Sequence, residues 1–265
     1  MPRLGLPPTR AALDDTSGDP AMLQRSLARA VLAEIRWSFR WPCNWLLGVF
    51  ANLGLSFLWL LWVPLRTGNH RDAVVLVGSY FAVFILADIT TTNVLGLDAP
   101  RVRASLARGI SVIRLLLLKN LALLVIVGLP TLIATAALTV RSEHPYRLAA
   151  TLPGVALPMF AWLGAGNVVS VVFPVAIRSL WQRWQERRDR RRTLAWLVHL
   201  AIPYALLYLV DPVGDLPAGA FRALPRPWHS PGLRGLLFTG YGLLIWAAGT
   251  GFALLWVRRR GLRLR

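Results

Sequence analysis

Long uncharged stretches dominate the hydrophobic pattern of the chain. The apolar core of a bilayer is about 30 Å thick, so a helix needs roughly 20 consecutive apolar residues to cross it. Six stretches meet this requirement: residues 41–63, 73–93, 120–140, 148–177, 194–210 and 235–257. Asp88 is the only Asp, Glu, Lys or Arg within them. The pattern therefore predicts an all-α integral membrane protein, in which a flexible tail of residues 1–20 precedes a six-span transmembrane domain over residues 21–265.

The fourth and fifth stretches depart from a simple span. The fourth contains Pro153, Pro158 and Pro174, so we expect it to be kinked or to begin outside the apolar core. The fifth is short for a span. The turn-rich segment 211–234 that follows it is expected to dip back toward the membrane as a re-entrant or interfacial element.

Basic residues are distributed unequally between the connecting segments. If the spans alternate in direction, 23 of the 30 Lys and Arg residues lie on one side of the membrane and seven on the other. By the positive-inside rule the richer side is cytoplasmic, and both termini lie there. The arginine-rich loop 178–192 falls on this side, where anionic lipid head groups attract basic residues. The net charge of +18 is thus explained without a nucleic-acid partner.

An amphipathic helix is predicted before the first span, over residues 22–40. Its apolar positions recur at steps of four: Leu23, Leu27, Val31, Ile35 and Phe39. Arginines occupy a different face: Arg25, Arg29, Arg36 and Arg40. This arrangement is typical of a helix that lies along the cytoplasmic membrane surface. The alternatives are a plain lipid anchor and a helix that also presents its polar face to a cytoplasmic partner.

A short cytoplasmic helix is predicted between the second and third spans. Asp98 and Pro100 provide an N-cap and a first-turn proline, and Gly109 provides the end. Val102 and Leu106 share one face of this helix, and we expect Arg101, Arg103 and Arg108 to remain exposed. A helix this short and polar caps the bundle or docks onto a soluble protein.

Motifs for catalysis and for cofactor binding are missing from the sequence. Lys119 is the only lysine and does not follow glycine, so the chain has no Walker phosphate loop. The four histidines and the single cysteine, Cys43, show no metal-ligand spacing, and no Gly-x-Ser-x-Gly nucleophile motif occurs. We expect neither an enzyme nor a bound metal or cofactor.

One carboxylic acid and one histidine lie within predicted spans. A carboxylate in hydrocarbon costs at least about 2.5 kcal/mol, so Asp88 should face the bundle interior or a hydrated cavity. Asp88 is then a candidate proton relay or substrate contact, although the neighbouring Thr90 to Asn93 also permit a structural role. His199 in the fifth span is either a helix-packing residue or a group that lines a pathway.

Two segments resemble the permease subunits of type-two ATP-binding-cassette exporters. The first is "NVLGLDAPRVRASLARGISVIRLLLLKNLALL", in which the resemblance is carried by Asn93, Gly96, Asp98, Lys119 and Asn120. The second is "GAGNVVSVVFPVAIR" near the cytoplasmic end of the fourth span, in which it is carried by Gly166, Asn167, Ser170, Phe173 and Pro174. The six-span layout and the amphipathic helix extend this resemblance over most of the chain.

The resemblance implies a transport subunit in a bacterial cytoplasmic membrane, powered by ATP that a separate soluble subunit binds. A second permease copy or a homologous permease would complete the transporter, and an apolar pathway suits a lipophilic or amphipathic cargo. The residues expected to contact the ATPase subunit are Asp98, Arg101, Arg103, Arg108, Arg25 and Arg29. Three other classes of protein remain open: a proton-coupled secondary transporter that uses Asp88, an integral-membrane lipid enzyme and a membrane scaffold.

Overall fold

The computed structural model describes residues 26–40, 93–96, 98–142, 144–174, 193–194, 198, 216–225 and 228–262. Within these ranges no residue lies in a strand, which confirms the all-helical class. We number the α-helices of this part in chain order: α1 (Leu27–Ser38), α2 (Ala99–Ala107), α3 (Val112–Leu123), α4 (Leu129–Ser142), α5 (Leu148–Val172), α6 (Leu216–Ala223) and α7 (Pro231–Arg260). A π-helical segment, Leu124–Gly128, joins α3 to α4, and a 3-10 turn, Pro145–Arg147, precedes α5.

Three helical stretches in the described part are long and apolar enough to cross a membrane. They are Val112–Arg141, Pro145–Val172 and Pro231–Arg260, and they contain most of the predicted third, fourth and sixth spans. The third begins at Val112 rather than residue 120, because the turns that carry Arg114 and Lys119 are also helical. The fourth ends at Val172 rather than residue 177, because Pro174 disfavours helical geometry in the residue before it. Nearly all of the predicted first, second and fifth spans lies outside the described residues.

The π-helical segment of the third span has a clear chemical cause. Pro130 has no N–H, and its ring would collide with the carbonyl group one turn earlier in a regular α-helix. The wider turn of Leu124–Gly128 immediately precedes this proline and lets the helix continue. The hydroxyl of Thr131 donates to the carbonyl oxygen of Val127 at 2.8 Å. The stretch Val112–Arg141 therefore continues as one helix despite an internal proline.

The segment predicted to dip back toward the membrane contains α6. Its eight residues are about 12 Å long, which is too short to cross a bilayer. The helix packs against the beginning of α7, and the ring of Phe221 stacks on that of His229 at 5.0 Å between centroids. It thus has the length of an interfacial element rather than that of a span.

Helices α5 and α7 form the most extensive helix pair in the described part. Gly235 faces Ala149, Gly242 faces Leu157 and Gly249 faces Gly164. The residue numbers of each facing pair differ by 85 or 86, so the two helices run parallel. These glycines recur every seven residues along α7. A Cβ atom on Gly249 would lie 2.5 Å from the carbonyl oxygen of Gly164. Such close backbone approach is how apolar helices gain packing energy in a membrane, where water supplies no hydrophobic driving force.

We expect Gly249→Ala to weaken the contact between α5 and α7. The new methyl group collides with backbone that cannot rotate away, and such overpacking typically costs about 1–3 kcal/mol. The midpoint of thermal unfolding in detergent, followed by tryptophan fluorescence, should fall by about 2–4 °C for each kcal/mol lost.

Gly251→Ala is the matched control for this substitution. It lies two residues further along α7, and a Cβ atom there would meet nothing within 4 Å. Alanine is also the better helix former, so this variant should unfold at the wild-type temperature or slightly above it. An equal effect of the two substitutions would argue against the close backbone contact.

Candidate functional site

One end of the helical bundle gathers parts of four α-helices around an apolar cluster. The cluster consists of Leu95, Val102, Ile110, Leu115, Leu116, Val171 and Ala253. It therefore joins α2 and the beginning of α3 to the last turns of α5 and α7. Leu106 of α2 and Trp256 of α7 pack against its edge. Helix α2 thus shares one apolar cluster with α3, α5 and α7.

The local sequence accounts for the position of α2. Asp98 occupies the N-cap position and Pro100 lies in the first turn, as predicted, and the helix ends at Ala107. Gly109 follows with a φ of 83°, a conformation that residues with a Cβ atom rarely adopt. The chain turns there and enters α3. The prediction of a short helix between Asp98 and Gly109 is thus confirmed.

A four-residue ion cluster lies beside the apolar cluster. Its members are Glu34, Asp98, Arg101 and Lys119. The ammonium of Lys119 donates to Oε1 of Glu34 at 2.8 Å and to Oδ2 of Asp98 at 3.1 Å. Its side chain is 3% exposed, and both carboxylates are 6% exposed. The only lysine of the chain therefore links α1, the N-cap residue of α2 and α3.

Arg101 completes the ion cluster from the surface of α2. Its guanidinium donates one hydrogen bond to Oε2 of Glu34 and another, at 3.4 Å, to Oδ2 of Asp98. The guanidinium carbon also lies 4.4 Å from the centroid of the Trp37 ring, and the Lys119 ammonium lies 5.3 Å from it. Both distances are within the range of cation–π attraction. The prediction that Arg101 is exposed is wrong, because these contacts half-bury it.

The two carboxyl groups of the ion cluster respond differently to burial. For Glu34, burial alone would raise the pKa, but the charges of Lys119 and Arg101 and the hydrogen bonds from both outweigh it and hold the pKa below its ordinary 4.5. For Asp98, burial dominates and raises the pKa above its ordinary 3.8 despite the same two cations, with Glu34 adding repulsion. Glu34 is thus the carboxylate that the cluster stabilises in its charged form.

The docked face of α1 differs from the predicted lipid-facing face. Ala30, Val31, Glu34 and Ser38 are buried, and α1 packs along α3. Val31 belongs to the stripe predicted to face lipid, whereas Leu27 and Phe39 of that stripe are exposed. This face of α1 is turned toward α3 because it carries Glu34, whose carboxylate bonds Lys119 of α3. The helix is therefore held to the protein by an ion pair and is not only an anchor in lipid.

Serine and asparagine side chains connect other parts of the site. The backbone N–H of Val94 donates to Oγ of Ser170 at 2.9 Å, which ties the segment before α2 to the end of α5. Nδ2 of Asn167 donates to Oγ1 of Thr250 at 2.9 Å, which ties α5 to α7. Most residues that carry the sequence resemblance are buried: Asn93, Gly96, Asp98, Lys119, Asn120, Gly166, Asn167 and Ser170. Phe173 is exposed just after α5, and Pro174 follows it.

The residues predicted to contact an ATPase subunit separate into two groups. Asp98 and Arg101 bind partners within the chain. Arg103 and Arg29 are exposed. The prediction that Arg108 is exposed is wrong: it is half-buried at the C-cap of α2, with Nη2 3.4 Å from Oγ of Ser105. Arg25 lies outside the described residues, as do Asp88 and His199. The exposed arginines are the ones that remain available for a contact outside the chain.

Sequence reasoning missed Glu34 and Trp37. Two signals pointed to a special position for their partner: Lys119 is the only lysine beside 29 arginines, and the chain has just 12 acidic residues. Neither signal identifies which acid pairs with the lysine.

Among the described residues, no group of three or more His, Cys, Asp or Glu side chains is placed to hold a metal ion.

Comparison of the chain with models of known protein families, with curated proteins and with solved structures finds no match.

We expect Glu34→Gln to destabilise the protein more than Asp98→Asn at neutral pH. Loss of Glu34 leaves Lys119 short of an anion, and breaking a buried ion pair costs about 3–5 kcal/mol. The raised pKa of Asp98 means that its ionisation already opposes folding at neutral pH, so a neutral amide there should cost less. Thermal unfolding in detergent measures both effects.

The lowered pKa of Glu34 determines how the stability difference between wild type and Glu34→Gln changes with pH. A lowered pKa contributes stability that is present above the unfolded value of 4.5 and is lost as the pH falls through the folded value. The advantage of wild type over Glu34→Gln should therefore shrink on acidification below about pH 4.5. Arg103→Gln, on the exposed face of α2, should change stability by less than about 0.5 kcal/mol. An advantage that grows with acidity would contradict the lowered pKa of Glu34.

Proposed function

We propose that the chain is a permease subunit of an ATP-binding-cassette exporter in a bacterial cytoplasmic membrane. The observation that carries this proposal is the position of α2, a nine-residue polar helix held between an amphipathic helix and the ends of apolar helices. The sequence resemblance supplies the family. The three helices able to cross a membrane are consistent with a membrane transport subunit.

The contacts of α2 suit a part that receives force. Its inner face contributes Val102 to the apolar cluster. Its N-terminus is joined through Asp98 and Lys119 to α3, and Arg101 joins it to α1. A short stiff helix fixed at several points moves its partners rather than bending. Closure of soluble ATPase subunits beneath α2 would then change the packing of the spans.

The exposed arginines of this end define the proposed contact with the ATPase subunit. They are Arg103 on α2 and Arg29 on α1, and the half-buried Arg108 at the C-cap of α2 is a third candidate. Complementary charge at an interface mainly sets association rate and specificity. Asp98 and Arg101 act differently in this proposal, because they carry the movement of α2 to its neighbours inside the chain. The cargo would be a lipophilic or amphipathic compound that passes between two permease subunits.

Arg103→Glu tests the proposed contact. The tagged chain, purified in mild detergent from its native membrane, should carry a soluble subunit with a Walker motif and hydrolyse ATP. Charge reversal at an exposed contact should reduce the amount of that subunit by about tenfold, which corresponds to about 1.4 kcal/mol. The measurement is the ratio of the two subunits and the ATPase rate per permease.

Arg259→Glu is the matched control, since Arg259 is exposed near the end of α7 and lies outside α2. It makes the same change of charge and should retain the ATPase subunit. Equal loss in both variants would indicate only a general dependence on charge.

Transport by the purified chain alone, driven by a proton gradient and abolished by Asp88→Asn, would replace the exporter hypothesis with the secondary-transporter alternative.

A further inference from the structure

Helix α7 is exposed along one side in the structure. Its buried residues are Gly235, Gly242, Thr250 and Ala253. The other side carries Leu244, which is 63% exposed, and Leu255, which is 54% exposed, with the exposed Ala247 between them. A Cβ atom on Gly251 of the same side would meet nothing within 4 Å. We call the side defined by Leu244, Ala247, Gly251, Leu255 and Arg258 the open face of α7, since steps of three and four residues keep them on one side of a helix.

Each end of α7 carries an arginine whose guanidinium lies over an aromatic ring one turn nearer the middle of the helix. The guanidinium carbon of Arg234 is 5.3 Å from the ring centroid of Phe238, and that of Arg260 is 4.5 Å from the ring centroid of Trp256. Both distances permit cation–π attraction. No charged residue lies between Arg234 and Arg258. The apolar part of α7 is thus bounded at both ends by an aromatic ring and an arginine.

The spacing of these pairs matches the dimensions of a bilayer. The rings of Phe238 and Trp256 belong to residues 18 positions apart, about 27 Å along the helix, and Arg234 and Arg260 are 26 positions apart, about 39 Å. The hydrocarbon core of a bilayer is about 30 Å thick, and the bilayer with its head groups is about 40–45 Å thick. The arginines then lie among the head groups and the rings at the edge of the hydrocarbon. Both pairs are centred on Ala247.

Exposed aromatic residues outside α7 lie near the level of Arg234. Gly235 faces Ala149, so the beginnings of α5 and α7 lie side by side. Tyr146, which is 67% exposed, lies just before α5, and Trp228, which is 61% exposed, lies just before α7. Tyrosine and tryptophan are enriched where a membrane meets water. Two chain segments besides α7 therefore place such residues at this end.

Charge favours lipid over a second copy of the chain as the neighbour of the open face. Two copies related by a two-fold axis along the membrane normal would bring their α7 helices together in parallel. Arg258 lies seven residues after Gly251 on the open face, so it would meet Arg258 of the other copy, and like charges oppose such a contact. Arg259 and Arg260 are also exposed, and the chain has 12 acidic residues against 30 basic ones. Phospholipid head groups supply the anions that a second copy lacks.

We propose that the open face of α7 borders the phospholipid bilayer, with the bilayer midplane at the level of Ala247, and that a second copy of the chain does not pack there. The inference requires only that α7 spans a membrane, as its length and composition permit. It holds whether or not the chain binds an ATPase subunit. In a homodimeric transporter, the contact between the two copies would then lie away from the open face of α7.

Nitroxide spin labels along α7 test the proposal. Cys43 is the only cysteine, so single cysteines replace residues of the open face in a Cys43→Ser background of the full chain. The labelled protein, with any subunit that copurifies, is reconstituted into vesicles of phosphatidylcholine and phosphatidylglycerol. Power-saturation electron paramagnetic resonance compares collisions with O₂, which dissolves in hydrocarbon, and with a nickel chelate, which stays in water.

The ratio of O₂ to nickel collisions reports the depth of each label. It should be several-fold higher at Ala247→Cys than at Arg258→Cys, and it should fall from Ala247 toward both ends of the helix. A maximum more than one helical turn from Ala247, or a ratio that does not vary along the open face, overturns the proposal.

Trp246→Cys is the matched control for Ala247→Cys. The Cα atom of Trp246 faces Gly164 of α5, so a label there lies at nearly the same depth but against protein. The nitroxide side chain also replaces an indole of similar size. Collisions with O₂ should be several-fold more frequent at position 247 than at position 246. Equal rates, or a lower rate at position 247, would show that protein covers the open face and would overturn the proposal.

Oxidative cross-linking tests directly for a second copy on the open face. Leu244→Cys and Gly251→Cys, each in the Cys43→Ser background, are oxidised with copper phenanthroline in the native membrane. No disulfide-linked dimer should form, because lipid separates the open faces of two copies. A dimer formed by both variants overturns the proposal. Neither this measurement nor the spin-label profile uses ATP hydrolysis, so their failure is distinct from failure of the proposed transport function.

Discussion

A buried ammonium must be neutralised, and this requirement organises the end of the bundle that is predicted to face the cytoplasm. Lys119 lies 3% exposed at the start of an apolar helix, where an unpaired charge would cost several kcal/mol. Its anions come from Glu34 and Asp98, which belong to two separate parts of the chain. The amphipathic helix and the short helix must therefore both dock on α3 before the lysine is satisfied. Arg101 then balances the second negative charge.

Neutral packing and charge pairing hold different parts of the same bundle. Helices α5 and α7 meet at glycines along most of their length, so dispersion contacts and close backbone approach stabilise that pair. Helix α1 is held to α3 through buried polar and charged groups beside a few apolar ones. Charge pairs are directional and cooperative, whereas glycine packing tolerates little displacement. The α5–α7 pair is therefore rigid, whereas the attachment of α1 to α3 depends on the ionisation of Glu34 and Lys119.

The elements of this fold were predictable where a signal is local. The length of uncharged stretches indicated the three long apolar helices that the structure describes. Pro100 and Gly109 delimited α2, because a first-turn proline and a positive-φ glycine act within a few residues. The side chain of Asp98 occupies the N-cap position but makes no capping hydrogen bond, since its carboxylate bonds Lys119 and Arg101 instead. The partner of Lys119 was not predictable, since 85 positions separate it from Glu34. The seven-residue spacing of Gly235, Gly242 and Gly249 is visible in the sequence, yet nothing local indicates that it faces Ala149, Leu157 and Gly164. Pairing between distant helices depends on the assembled bundle.

The contacts between α3, α5 and α7 indicate which helix can shift relative to the others. Helix α3 touches α7 far less extensively than α5 does, and the π-helical segment Leu124–Gly128 directly follows its last residue. Force applied through Asp98 and Arg101 would therefore shift α3 against a rigid α5–α7 pair rather than separate that pair.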